Sequence, residues 1–596
     1  MGLIDEAAAL IEARGRMTEE ARLRRLLDLH WQYTLDEYPE LATYTGDPGR
    51  NHRWTDHSLE AYERRNHEME VPARVLATID RAALPPADQV HYDLFKRNLD
   101  EALEGRRFKG EYMPVTQMGG VQQNVAQTLM LMPYFLPADY ENAIARLEGV
   151  PVLVDQTIAL LEKGRETGIT PPRVTLRDVP GQVRNQIVDD PLKSPLLRPF
   201  QSFPPSIDGP TQDRLRTAAA RAYAGAVAPA YRRLLAYLEG TYLPRTRETI
   251  AMRDLPDGEA WYAFSVRLMT TTGLGPEEIH RIGMAEVQRI RREMDAVIER
   301  TGFAGTFEEF VAFLRTDDRF FFARADDLLM AYRDIYTRVD PELTRLFATL
   351  PRLPYGVVPV PSYAEKSQTT AYYEPGSPSA GRPGRFFTNT YDLRARPKWE
   401  MEALALHEAV PGHHLQIALA QELPDMPDFR RHGFYTAYIE GWGLYAESLG
   451  DEIGVYQDAY AKFGQLTYEM WRAIRLVVDT GMHALGWTRQ QAIDFFTANA
   501  GKAEHDIVVE VDRYIVWPAQ ALAYKIGELK IKELRARAAA ALGARFDLRR
   551  FHDHVLGAGA LPLDVLEARV DGWIAREGAG GPGGVGADRG RETPPA

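Results

Sequence analysis

The 596-residue chain has no cysteine. Disulfides, thiolate metal sites and cysteine nucleophiles are thereby excluded, and any metal must be held by His, Asp or Glu. Nowhere do eighteen apolar residues follow one another, so no segment reads as membrane-spanning. Basic charge is in deficit, 71 Lys and Arg against 84 Asp and Glu, for a net charge of −13. That balance argues against a nucleic-acid-binding face and favours solubility. The first fourteen residues carry two acids within six positions and no long apolar core, so they do not read as a signal peptide. Gly2 is not followed by Ser or Thr at the sixth position, so the myristoylation pattern is absent. The expected compartment is the cytoplasm, with no membrane and no nucleic-acid partner. Nothing in the pattern speaks to oligomeric state.

What is present is mostly helical texture. Amphipathic stretches cover 7–29, 59–80 and 88–103, and longer ones cover 140–164, 217–252 and 276–301. The last opens Gly-Pro-Glu-Glu, as a helix N-terminus should. A proline-rich passage over 171–210 reads as an extended crossing segment. Residues 112–136, rich in Gln, Met and Leu around Gly119-Gly120, read as a helix pair lining a cavity. Texture changes at 351–397, where Val357, Val358, Val360, Tyr372, Tyr373, Phe386 and Phe387 stand among prolines and glycines. A small antiparallel sheet is expected there. Helix returns at Trp399 and holds to about 543, and 578–596 read as a disordered tail. The fold expected is mainly α. The length allows about three or four average domains or one large two-lobed unit over 1–577, which would hold the small sheet at 351–397 and the helices of 399–543.

Three of the fourteen histidines fall in one window, His407-Glu-Ala-Val-Pro-Gly-His-His-Leu-Gln416. A His-Glu pair followed by another histidine on a helix is how two imidazoles are offered to zinc, with the glutamate left to take a proton from water. The usual gap is four residues, and here it is six or seven. On an unbroken helix His407 and His414 would nearly coincide in direction. Pro411-Gly412 interrupts the helix, however, and a bulge at 410–412 would bring His413 round instead. Local geometry leaves His413 and His414 both open. A third ligand is expected from the helix over 434–449, where Glu440 and Glu447 are seven apart and share a face. A carboxylate among Ile439, Trp442 and Leu444 is costly unless paired or metal-bound. Glu440 is the candidate ligand and Glu447 the partner that orients a histidine. The plainer alternative is an acidic pair on a solvated helix face.

These residues resemble the bacterial family called "domain of unknown function 885", zincin-like proteins with a His-Glu-x-x-Pro-Gly-His-x-x-Gln pattern. The likeness runs through Glu440-Gly-Trp-Gly-Leu-Tyr-Ala-Glu447 and the blocks 112–122, 270–280, 382–390 and 510–527. One departure is Gly443, where alanine is commoner. The resemblance implies a mostly helical, two-lobed metallopeptidase-like fold with a deep cleft and one zinc ion. It implies His407, His413 and Glu440 as ligands and Glu408 as general base, with His414 left to packing or, like Glu447, to supporting a ligand from behind. For the oxyanion, Tyr524 is the first candidate donor and Arg513 the second. The alternatives are a core aromatic and an arginine paired with Asp512 or Glu510. Phe386 to Thr390 could be an edge strand pairing with substrate, with Asn389 hydrogen-bonded to the peptide. A core strand is the other reading. The expected function is a zinc peptidase acting on short peptides. A zinc hydrolase of a non-peptide amide is the alternative, and a non-catalytic binding protein stands behind both.

Overall fold

The computed structural model describes residues 3–361, 365, 370–378 and 381–579. Most of it is helix, with one three-stranded sheet among the described residues. Helix boundaries follow local chemistry. Helix α1 (Pro137–Thr167) has proline in its first turn, Asp139 accepting from the amides of Phe135 and Leu136, and a left-handed Gly168 at its end. Helix α2 (Pro276–Thr301) starts on proline and two glutamates and stops at left-handed Gly302. Its buried residues Ile279, Gly283, Val287, Ile290, Met294 and Val297 recur every three or four positions, which makes one apolar stripe.

The 7–29 stretch is two helices, Leu3–Glu12 and Glu19–Glu37, broken around left-handed Gly15. Between 112 and 136 there is one helix, Val121–Leu131, where a pair was expected. The residues before it turn instead, around a left-handed Gly120. Residues 115–242 pack into a hydrophobic cluster of their own, around α1 and Tyr223, Tyr231 and Tyr242. Two further clusters from the rest of the chain, one of them much larger, surround the motif helices. The C-terminal helix, Leu563–Ala579, takes in the first two residues of the expected tail, and 580–596 lie outside the described residues.

Helix α3 (Ala325–Val339) leads to the sheet, β1 (Tyr355–Pro359), β2 (Ala371–Glu374) and β3 (Gly384–Thr388). The order is β1-β3-β2, with β1 and β3 parallel and β2 and β3 antiparallel. The sheet is therefore mixed rather than antiparallel. After β1 the chain crosses to the far edge to make β2, and β3 returns into the middle position. Five further helices carry the site: α4 (Met401–Glu408), α5 (His413–Glu422), α6 (Thr436–Ser448), α7 (Ala459–His483) and α8 (Glu504–Val516). A last one, α9 (Ala523–Leu542), lies against α6. Gly283 lets α2 pack closely on α7, since a Cβ there would lie 2.7 Å from that of Leu476.

Candidate metal centre

Helix α4 is short and almost wholly buried, so His407 near its end is fixed by packing on every side. The helix stops at Ala409, the Val410–Pro411 peptide is cis, and α5 restarts at His413. Gly412 makes that restart sterically feasible. A Cβ on it would sit 1.9 Å from the carbonyl oxygen of His407 and 2.4 Å from that of Leu406. Trp442, fully buried on α6, donates its indole N–H to the Pro411 carbonyl at 2.8 Å and ties the break down. The imidazoles of His407 and His413 end with centroids 4.7 Å apart and planes 85° apart.

Glu440 faces them both. Its Oε2 lies 3.6 Å from Nε2 of His407 and 3.4 Å from Nε2 of His413. The three residues offer donor atoms all within 4.8 Å of one another. Ligands about 2 Å from a tetrahedral zinc stand about 3.3 Å from one another, close to the 3.6 and 3.4 Å that separate the Glu440 oxygen from the two imidazole nitrogens. His414 does not compete. Its Nδ1 is 2.8 Å from the Tyr373 hydroxyl and its Nε2 3.0 Å from the Leu353 carbonyl oxygen. Burial lowers its pKa to about 4, so it is a neutral, fully engaged core residue. The bulge selects His413.

Glu447, with no exposure, sits 2.8 Å from Nδ1 of His407 and so turns Nε2 toward Glu440. Burial pulls the His407 pKa down, but its bonds to Glu440 and Glu447 outweigh this and raise it to about 9. Burial likewise works against the Glu440 carboxylate, yet the two histidines hold its pKa well below the ordinary range. Glu408 closes α4 beside His407, half-buried, and among the described residues no cation pairs with its carboxylate.

Tyr524, at the start of α9, lies almost parallel to His407, with centroids 6.3 Å apart. Its hydroxyl accepts from Arg513 at 3.3 Å and from Gln520 at 3.4 Å, which leaves its own proton free to donate. Arg513 also donates to the Gln520 side-chain oxygen Oε1, faces Glu510 at 3.5 Å and covers Trp517. It therefore backs Tyr524 rather than joining the three donors. Asn389 is misplaced in the sequence reading. It follows the central strand, so no edge is open to substrate there. It is 1% exposed, its amide donates to the Glu365 carbonyl and its oxygen accepts from the Tyr391 amide. Its role is to hold the chain after β3.

Two arginines on α7 were not anticipated. Arg475 lies with its guanidinium 4.5 Å from the Tyr524 ring centroid, bound to the Tyr514 hydroxyl and Glu510. Arg472 lies 5.9 Å from the same centroid and 3.5 Å from Glu447. The available signal was two arginines three residues apart in the apolar stretch Met470–Val478, a pattern that costs energy unless each charge is matched.

A cavity of about 690 Å³ opens beside this arrangement. Met113, Trp261, Met269, Phe434 and Trp517 are among its walls, as are Thr436, on the helix of Glu440, and Gln520, which donates to the Tyr524 hydroxyl. Residues just before the Val121 helix thus line a cavity, as expected, although as turns.

A family model described as "Bacterial protein of unknown function (DUF885)" matches residues 39–570. A crystal structure titled as that of a "putative lipoprotein" from Colwellia psychrerythraea superposes with a TM-score of 0.87 at 29% identity, covering 94% of this chain and all of the other. A second structure, of a "putative lipoprotein of unknown function" from Shewanella oneidensis, has a TM-score of 0.68 at 17% identity over 92% of this chain and 98% of its own. The latter likeness is one of fold alone. No curated protein matches the chain. Among the described residues no helix is long and apolar enough to cross a membrane, and neither neighbour's title supports the cytoplasmic expectation.

Proposed function

Because the chain belongs to the bacterial DUF885 family, whose description names no activity, its chemistry has to be read from the site, and we propose a zincin-like, zinc-dependent peptidase acting on short peptides. The observation that carries this is the convergence of His407, His413 and Glu440, with Glu447 fixing the His407 ring. A zinc ion held there would act as a Lewis acid and make water nucleophilic near neutral pH. Glu408 accepts the proton of the attacking water and returns it to the leaving nitrogen as the C–N bond breaks. Tyr524 donates to the carbonyl oxygen as negative charge grows on it, with Arg475 and Arg513 close behind. The wall of buried side chains around His407 limits water on the ligand side.

The test is metal analysis and peptide digestion with two variants. Glu408→Gln should keep zinc and lose hydrolysis, whereas Glu440→Gln should lose zinc. The reverse pattern overturns the role assignment, and a wild-type protein that binds zinc but cuts no peptide overturns the substrate class in favour of another amide. The cytoplasm is the location proposed from the sequence reading, although the two similar structures are described as those of putative lipoproteins. Recovery of the native protein with membranes would overturn it.

A further inference from the structure

On α6, residues 437–439 and 441–447 are buried, and the two half-exposed positions before Ser448 are Thr436 and Glu440. They are four apart and so lie on one face. Glu440 reaches the metal centre from that face, and Thr436 lines the 690 Å³ cavity. A second link runs from the other wall. Gln520 lines the cavity and touches Tyr524, which lies along His407. The cavity thus lies next to the metal centre through Thr436 and Gln520, although none of the three donor residues is among its walls.

The cavity's chemistry is one-sided. Its walls include Met113, Trp261, Met269, Phe434, Ile515 and Trp517. Phe434 and Trp517 are 64% and 41% exposed, a costly display of aromatic surface unless something covers it. Among the described residues no carboxylate lines it, and the one ionisable wall residue, Arg247, spends Nε on the Thr170 carbonyl and Nη1 on those of Thr249 and Ala251. A lysine or arginine side chain would find no counter-charge there, and an acidic one only an arginine already committed to backbone. The volume falls in the range of pockets that take drug-sized ligands, of about 300–1,000 Å³.

We propose that this cavity is the recognition site for a bulky apolar side chain of the substrate, so that the preferred peptides carry a large aromatic or aliphatic residue beside the scissile bond. The inference rests on the peptidase reading for its reaction, while its binding test does not need turnover. Glu408→Gln protein is titrated with three tetrapeptides, Ala-Ala-Phe-Ala, Ala-Ala-Asp-Ala and tetra-alanine, and the fluorescence of Trp261 and Trp517 reports occupancy.

The phenylalanine peptide should bind on the order of tenfold to a hundredfold more tightly than tetra-alanine, the gain from burying one large apolar side chain. The aspartate peptide should bind no better than tetra-alanine. Adding Ser265→Phe, which fills the cavity, should erase the preference. Adding Phe434→Ala, at a side chain too exposed to matter for folding, should weaken it several-fold. Equal affinity for the phenylalanine and aspartate peptides overturns the proposal, as does a preference that both variants leave intact. Apolar selectivity in a wild-type protein that cuts nothing leaves the cavity standing and removes the peptidase. Cleavage without apolar selectivity does the opposite.

Discussion

Glu447→Gln separates orienting a ligand from being one. Glu447 lies 2.8 Å from His407 Nδ1 and 3.5 Å from an Arg472 nitrogen, and it is fully buried. Glutamine keeps the length and an acceptor oxygen but removes the charge that makes His407 a strong donor. Changing such a partner costs about 10–100-fold in metal affinity, or about 1.4–2.7 kcal/mol. The same substitution takes a carboxylate from Arg472, which is 5% exposed. Removing one partner of a buried pair costs about 3–5 kcal/mol. The contact here is long, and Arg472 keeps the Tyr468 carbonyl at 3.2 Å and the Tyr468 ring at 4.6 Å. A loss of about 1.5–3 kcal/mol is therefore expected, the range for one hydrogen bond to a charged group. Zinc competition against a chromogenic chelator gives the affinity, and urea unfolding of the metal-free protein gives the stability. If affinity is unchanged, or falls only as far as the folded fraction does, Glu447 does not orient His407 in the way argued.

Three more outcomes are expected. His413→Ala should abolish stoichiometric zinc binding while His414→Ala keeps it and loses thermal stability; elemental analysis with calorimetry decides, and the opposite assignment would show that the bulge has been misread. Tyr524→Phe should keep zinc and lower kcat on the order of a hundredfold with little change in KM, the signature of a donor used in the transition state; an unchanged kcat rules that out. Burial raises Asp479 from 3.8 to about 7 against bonds from the Tyr262 hydroxyl and the Ala519 amide. The folded state then holds the extra proton, so this contribution to stability is full below 3.8 and is lost as pH rises through about 7. In Asp479→Asn the decline between pH 5 and pH 7.5 should flatten, and identical urea midpoints for both proteins across that window would contradict it.

Much of the site could be read in advance because its residues break local rules. His407, Glu408, Glu440 and Glu447 are polar groups in helices otherwise made of alanine, leucine and aromatics, and such groups need partners. Pro411 and Gly412 announce a break, but its sense depends on Trp442 and on the carbonyls of Leu406 and His407, which no spacing encodes. The choice between His413 and His414 turned on Tyr373 and Leu353, brought near by the sheet. Asn389 was misjudged for a similar reason. Which strand lies in the middle is a matter of chain crossing, and the pattern of Phe386 and Phe387 reads the same in a central or an edge strand. Arg472 and Arg475 were overlooked because their partners, Glu447, Glu510 and Tyr514, lie on other helices. The α2 boundaries, by contrast, followed directly from Pro276 and Gly302.

Where α6 crosses α9, two glycines meet. A Cβ on Gly441 would lie 2.5 Å from the Gly527 Cα, and one on Gly527 would lie 1.9 Å from the Ala437 carbonyl oxygen. Gly441 follows Glu440 directly, and Gly527 is three residues beyond Tyr524. The spacing between the carboxylate and the phenol is therefore set by two backbones in contact, with no side chain between them to adopt another rotamer. The pair behaves as a single rigid jaw. On the proposed peptidase reading, the cavity walls in the turns around Met113 and Trp517 can vary while the two glycines hold the carboxylate and the phenol at a fixed spacing. Thr436, on the helix of Glu440, and Gln520, bonded to the Tyr524 hydroxyl, are the wall residues that link the two.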